Sequence, residues 1–329
     1  MNRRRLLLGL GVGLVLLLLV LVKVDLRATV ATLKSASYGY LAPAALFLML
    51  FLALKAVRWS YLLGSAGRAS REAIFSAVLV GYFGNQVLIA NSGELLRALV
   101  LGQREDLSKS AILGTIVVEK IMDVSVLCFS LLLLLWLIPL PTWVGQVGLV
   151  ATLILAFGLA LVALLLYRNR KAVALLTSLL DRLSPLWAQG LARLFNSFVD
   201  GLRALERRGE AAVAFLLGFP MWALLVISFY FVGLGARITL PPQAYTLPMV
   251  LIALGAFILT PGGMGTLEFF GIGSLAILSV DSGQALAFVI LVRAVRLLPI
   301  VWGYLLFSKE GFGLRSLGRE AYDSSNPQD

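Results

Sequence analysis

The sequence predicts an all-α polytopic membrane protein, with about six full spans and two re-entrant helical hairpins related as an inverted repeat. Three observations predict it. In a chain of 329 residues that is 60% hydrophobic and 14% charged, several apolar runs reach about 18 residues or more, the length of a helix that crosses a bilayer. Two further apolar stretches are broken by turn-forming residues, "IANSGELLR" and "LTPGGMGTLE". Lysine and arginine gather on alternate loops, as the positive-inside rule requires. A β-barrel is not expected, because its strands would alternate in polarity over about ten residues.

The first apolar run, Leu6 to Val24, follows Arg3, Arg4 and Arg5. Its core is longer than that of a signal peptide and has no convincing small-residue cleavage site, so it reads as a retained first span at 5–24. Residues 25–38 are expected to form a short helix outside. Full spans follow at 39–63, 110–138, 143–167, 211–235 and 284–307. The pieces 72–89 with 93–102, and 243–259 with 264–280, read as hairpins that enter the bilayer, turn and leave on the same side. Irregular backbone at that depth is tolerated only inside protein or beside a wet cavity. The breaks are set by Asn91 and Gly93 in the first hairpin (72–102) and by Pro261, Gly262, Gly263 and Gly265 in the second (243–280). Residues 172–208 have helical apolar spacing split by Pro185. They read as two amphipathic helices whose basic residues would meet anionic lipid headgroups at the cytoplasmic face. The chain is thus expected to be one transmembrane domain, 1–310, with halves 1–167 and 211–307, followed by a cytoplasmic tail, 311–329.

The net charge is +11. With the N-terminus inside, eighteen of the 28 lysines and arginines fall on inside segments, while the outside segments hold only Lys23, Arg27, Lys34 and Arg237. If either hairpin were a single crossing, the later loops would change sides and the pattern would fail. Both termini are therefore expected in the cytoplasm, with the chain in the cytoplasmic membrane. This bias accounts for the basic balance, and no nucleic-acid partner is expected. The chain has no histidine, which removes the commonest general base and metal ligand. Its single cysteine, Cys128, can form no internal disulfide. There is no G-x-x-x-x-G-K-[ST] motif, so ATP is not the direct energy source. No cofactor and no metal are expected.

Aligning Glu94 with Glu268, 174 residues apart, sets Glu119 opposite Arg293. By the predicted topology the first hairpin enters from the cytoplasm and the second from outside. The halves would then be inverted, as in transporters whose broken helices meet at the substrate site. Arg58, Glu94, Arg97, Glu119, Lys120, Asp123, Glu268, Arg293 and Arg296 all fall at bilayer depth. Each costs about 3 kcal/mol at a span centre, so they must face one another or a polar cavity. Glu94 and Arg97 share a helix face, as do Glu119 and Asp123, and Arg293 and Arg296. The Glu119–Asp123 face and the Arg293–Arg296 face are expected to pair. A buried network that merely fixes packing is the alternative to a substrate cavity. Arginine's fork suits phosphate, and helix N-termini at both glycine breaks are expected to offer free N–H groups to an anion. Arg58 with Trp59 reads either as interfacial anchoring or as a substrate contact.

Several motifs, taken in order, carry a resemblance: "RW" at 58–59, N-x-x-x-x-x-N-S-G-E-L-L-R from Asn85 to Arg97, "VVEKIMD" at 117–123, "TPGGMGTLE" at 260–268 and "LVRAVRLLP" at 291–299. From about residue 5 to 310 the chain resembles the flippase-like transmembrane family that includes the membrane region of lysylphosphatidylglycerol synthases. That family often has Pro in the first break, where this chain has Ala90, Asn91 and Ser92. It often has Arg after the second glutamate, where this chain has Lys120. The resemblance implies a protein that moves lipids or lipid-linked groups between leaflets, with Glu94, Arg97, Glu119, Asp123, Glu268 and Arg293 at its charged positions. The synthases' soluble aminoacyltransferase domain has no counterpart, so lysyl-lipid synthesis is not expected. The leading expectation is a flippase-like transporter of a phospholipid or polyprenyl-linked lipid, and not an enzyme. One alternative is a membrane transferase using Glu119 and Asp123 as metal ligands or as acid and base. Another is a non-catalytic scaffold for lipid enzymes.

Overall fold

The computed structural model describes residues 3–22, 24–64, 66–87, 92–142, 144–146, 208–256 and 260–309. The expected span at 143–167 apart from residues 144–146, the amphipathic helices at 172–208 apart from Arg208, the tail 311–329 and Asn91 lie outside the described residues. Among the described residues every regular element is helical.

Four helices are long and apolar enough to cross a bilayer by length and composition: Tyr38–Leu63, Lys109–Leu137, Gly209–Gly235 and Ser282–Lys309. Each coincides with a predicted span. Their cores are α3 (Leu41–Leu63), α6 (Lys109–Leu137), α7 (Arg208–Gly235) and α10 (Ser282–Lys309). At about 1.5 Å of rise per residue, each exceeds the roughly 30 Å hydrocarbon layer. α1 (Arg3–Leu21) occupies the first predicted span, and α2 (Leu26–Lys34) the short helix expected at 25–38. The Asp25 carboxylate starts α2 by accepting the N–H groups of Arg27 and Ala28 at 2.8 and 3.0 Å, an N-cap that satisfies two otherwise unpaired donors.

The two interrupted segments form antiparallel pairs of shorter helices. α4 (Arg71–Val87) and α5 (Ser92–Arg104) are tied at their open end, where the Ser70 hydroxyl donates to Glu105 at 2.6 Å and Arg104 meets Glu72 at 2.9 Å. Near the break, Gly93 lies directly against the Gly81 carbonyl. Glycine there lets the two backbones touch, as small residues do between membrane helices. In the second pair, α8 (Thr246–Gly255) and α9 (Thr266–Ile277), Gly255 sits beneath the Phe270 ring and Gly271 faces Ile252. Between them Gly262, Gly263 and Gly265 have φ of 58°, 66° and 79°. This is the left-handed region that costs other residues about 1–2 kcal/mol, which is why the break carries three glycines.

α3 and α7 pack along each other. Phe47 stacks on Phe231 at 5.6 Å, and the Ser228 hydroxyl donates to the Ala44 carbonyl at 2.7 Å. α10 runs past both halves, with Gly283 against Ala28 of α2 and Gly303 against the Leu79 carbonyl of α4. α1 covers the second break, where Gly13 abuts the backbone of Met264 and Gly265. The outer surface is apolar: Leu14, Leu46, Leu133, Leu216, Leu297, Val301 and Leu305 are all exposed, and Trp136 is 92% exposed. Arg58, Arg97, Glu119, Asp123 and Glu268 are buried inside. Apolar-out and charged-in is the distribution that lipid demands and water would penalise.

A charged cavity where the helix breaks meet

The side chains at the centre come from broken and long helices together. Gly262, at the tip of the second pair, packs on the Gln86 carbonyl near the end of α4, so the second break touches the helix that leads into the first. Beside this contact lies a cavity of about 240 Å³, lined among others by Lys55, Tyr82, Glu94, Arg97, Lys120, Asp123 and Arg296. A single water needs only about 10–15 Å³, so the space admits a small polar headgroup with its waters.

Glu119 of α6 is completely buried, 2.5 Å from Lys55 and 2.7 Å from Arg97. Asp123, one turn on, pairs with Arg58, accepts the Trp222 indole N–H at 3.3 Å and lies 3.6 Å from Lys55. Arg58 is fully buried and also donates to the Ala214 and Glu119 carbonyls at 2.9 and 3.4 Å. The Arg97 guanidinium stacks 3.6 Å from the Trp59 ring centre, and the indole N–H donates to Thr115 at 3.1 Å. Glu94 receives Lys120 at 2.7 Å and Arg97 at 3.6 Å. The carboxylates therefore sit among cations, the arrangement that makes buried charge tolerable.

The second break repeats this chemistry. Glu268, in the first turn of α9, accepts the Gly265 N–H at 2.8 Å and pairs with Arg293 of α10 at 2.6 Å. Glu94 occupies the first turn of α5 and pairs with Lys120 of α6. In each case a carboxylate follows a glycine break and meets a cation on the next long helix.

Three sequence expectations are corrected. The Glu119–Asp123 face does not pair with the Arg293–Arg296 face. α9 packs on α10 and gives Arg293 its own carboxylate, while α3 and α5 supply Lys55, Arg58 and Arg97 to Glu119 and Asp123. The N–H groups at Gly93 and Gly265 are not free for an anion, because Asn85 Oδ1 takes one at 3.1 Å and Glu268 takes the other. Arg58 and Trp59 are not interfacial anchors, since both are fully buried at the heart of the network.

Sequence reasoning missed Lys55 and Trp222, and it named Asn85 in a motif without giving it a role. Lys55 was detectable as a charge inside an apolar run, three residues before Arg58 and so on the same helix face. Nothing local marks Trp222, whose role comes from the packing of α7 on α3 and α6. Gly262 and Gly263 line the cavity with Thr260 and Thr266. Arg296 lines it too. It has Tyr82 and the Glu268–Arg293 pair as electrostatic neighbours but no hydrogen bond or ion pair with a described residue.

An apolar-coated helical bundle enclosing this many ionisable groups is a multi-pass membrane protein with a polar interior site. The chain belongs to the family described as the lysylphosphatidylglycerol synthase TM region, matched over residues 6–303. It is similar to the UPF0104 membrane protein MJ1595 of Methanocaldococcus jannaschii, 22% identical over 298 residues that cover 86% of this chain and 88% of that protein. A UPF0104 membrane protein of Methanothermobacter thermautotrophicus is 23% identical over 257 residues, covering 74% of this chain and 75% of that one. No solved structure matches the chain.

Proposed function

We propose that this chain is a flippase-like transporter, carrying a phospholipid or polyprenyl-linked lipid between leaflets with the headgroup in the central cavity and the tails in the bilayer. The observation that carries this reading is the cavity itself: charged walls, apolar surroundings, and a position where the second helix break meets the end of α4. A family described by a lipid synthase's membrane region supports a lipid as cargo. The matching chemistry of Glu94 with Lys120 and Glu268 with Arg293 supports an inverted repeat of re-entrant hairpins, and the lysine and arginine bias supports a cytoplasmic membrane location with both termini in the cytoplasm. Alternating access would then arise by rocking one half against the other about the shared site. The chain acts without catalysis in this reading. Glu119 and Asp123, the carboxylates a transferase would use, are each already engaged by two cations.

The test is reconstitution of the full chain in liposomes with a fluorescent lipid in both leaflets and a membrane-impermeant quencher outside. The expected result is quenching of the inner-leaflet population at a rate well above that of empty liposomes. Quenching that stops at the outer leaflet refutes transport. For topology, Met264→Cys in a Cys128→Ala background places a thiol beside the second break, because Met264 is 58% exposed. Labelling from outside is expected, and labelling only from the cytoplasmic side refutes the arrangement.

A further inference from the structure

Ten ionisable side chains line the cavity or pair beside it; Lys55, Glu94, Arg97, Lys120, Asp123 and Arg296 form its wall. Six are cations: Lys55, Arg58, Arg97, Lys120, Arg293 and Arg296. Four are carboxylates: Glu94, Glu119, Asp123 and Glu268. Among the described residues these cations exceed the carboxylates by two. One excess charge is shared across the network of α3, α5 and α6, where four cations meet three carboxylates. The other is localised on Arg296, which faces the cavity and makes no hydrogen bond or ion pair with a described residue. Its nearest carboxylate, Glu268, is already held by Arg293 and by the Gly265 N–H.

A guanidinium left unpaired at membrane depth is costly, and its planar fork is suited to two oxygens of one phosphate. The N–H groups of Gly93 and Gly265 do not supply this anion site, since Asn85 and Glu268 take them. A zwitterionic headgroup would bring its own ammonium into a cavity already two charges positive. A phosphodiester headgroup of net negative charge would offset one of the two.

We propose that the cavity selects a lipid headgroup of net negative charge, a phosphate ester without a compensating amine, and that Arg296 is the side chain that selects it. The proposal rests on the reading of the cavity as the lipid site and narrows that reading to one class of cargo. Arg293 and Arg296, three residues apart on one helix, thereby divide their work: the first holds the hairpin through Glu268, and the second meets the cargo.

The experiment is native mass spectrometry of the purified full chain, offered equal amounts of phosphatidylglycerol and phosphatidylcholine with identical chains. Wild type is expected to retain the anionic lipid about tenfold over the zwitterionic one, the effect of one charge-assisted partner. Arg296→Gln is expected to bring the ratio close to one. Arg296→Lys is expected to lie between them, and it carries the comparison if the glutamine variant does not fold. Arg237→Gln removes an exposed charge away from the cavity and should leave the ratio unchanged. Equal retention of the two lipids by wild type, or a ratio insensitive to Arg296, overturns the proposal. Inorganic phosphate added at millimolar concentration should not displace the lipid; displacement overturns the assignment of a lipid rather than free phosphate. Liposome assays with both labelled lipids separate this idea from transport. Selective binding without movement of either lipid refutes transport and leaves the selectivity standing. Equal movement of both, unchanged in Arg296→Gln, refutes the selectivity and leaves transport standing.

Discussion

Replacing Glu119 with glutamine removes a carboxylate whose side chain is 1% exposed and which sits 2.5 Å from Lys55 and 2.7 Å from Arg97. Glutamine keeps the shape but leaves the Lys55 ammonium and the Arg97 guanidinium facing each other across an uncharged side chain. Only Glu94 and Asp123 then balance the four cations of α3, α5 and α6. Breaking a buried ion pair by removing one partner costs about 3–5 kcal/mol. The lower figure corresponds to a fall in Tm of about 6–12 °C for a domain of a few hundred residues. The assay is a thermal melt of detergent-purified protein followed by tryptophan fluorescence, in which Trp59 and Trp222 report on the network itself. Lys55→Met should cost less, because Glu119 keeps Arg97. The double variant Lys55→Met with Glu119→Gln removes both members of the closest pair and should melt above Glu119→Gln alone. A Glu119→Gln protein that melts with wild type, or a double variant no better than the single, refutes the idea that charge balance holds this core.

The other predictions use the same preparation. Arg58→Lys keeps a charge for Asp123 but cannot also reach the Ala214 and Glu119 carbonyls, so a loss of about 1–3 kcal/mol is expected in the melt. Gly265→Ala should cost more than Gly263→Ala. Both have positive φ, but a Cβ at residue 265 would strike the Gly13 backbone while one at residue 263 meets only Thr266 Oγ1 at 3.7 Å; the comparison of yield and melting temperature checks it. Glu268→Gln removes the partner of Arg293 and weakens the cap on Gly265. It should speed labelling of a Met264→Cys thiol relative to the same reporter in wild type.

Much of the helical framework was legible because membrane helices write their length in apolar residues. The starts and ends of α3, α6, α7 and α10 fall within a few residues of the predicted spans, and the interrupted stretches appear as paired shorter helices. The glycine-rich break at 260–268 was visible as a break, since positive φ is a property of the chain itself. Lys55 was overlooked although its position in an apolar run carried the same signal as Arg58. The pairing of charges was not legible. Helical spacing shows which residues share a face, but not which face a neighbouring helix presents.

By itself the sequence determined the class of the protein, the approximate course of its long helices, the location of its breaks and the set of charges that had to be sheltered from lipid. Those follow from local physics: a polar group in hydrocarbon must be paired, and a helix needs a set length to cross. Only the tertiary structure decided that Glu119 meets Lys55 and Arg97 while Glu268 meets Arg293. It alone showed that Asn85 and Glu268 take the N–H groups of Gly93 and Gly265, and that Arg296 is left facing the cavity. The reason is that partner choice depends on the rotation and depth of each helix against its neighbours, which are set by close glycine contacts such as Gly81 with Gly93 and Gly13 with Gly265. Gly13 and Gly265 lie 252 residues apart, and Gly81 and Gly93, though only twelve apart, sit on two different helices, so no helical periodicity encodes either contact.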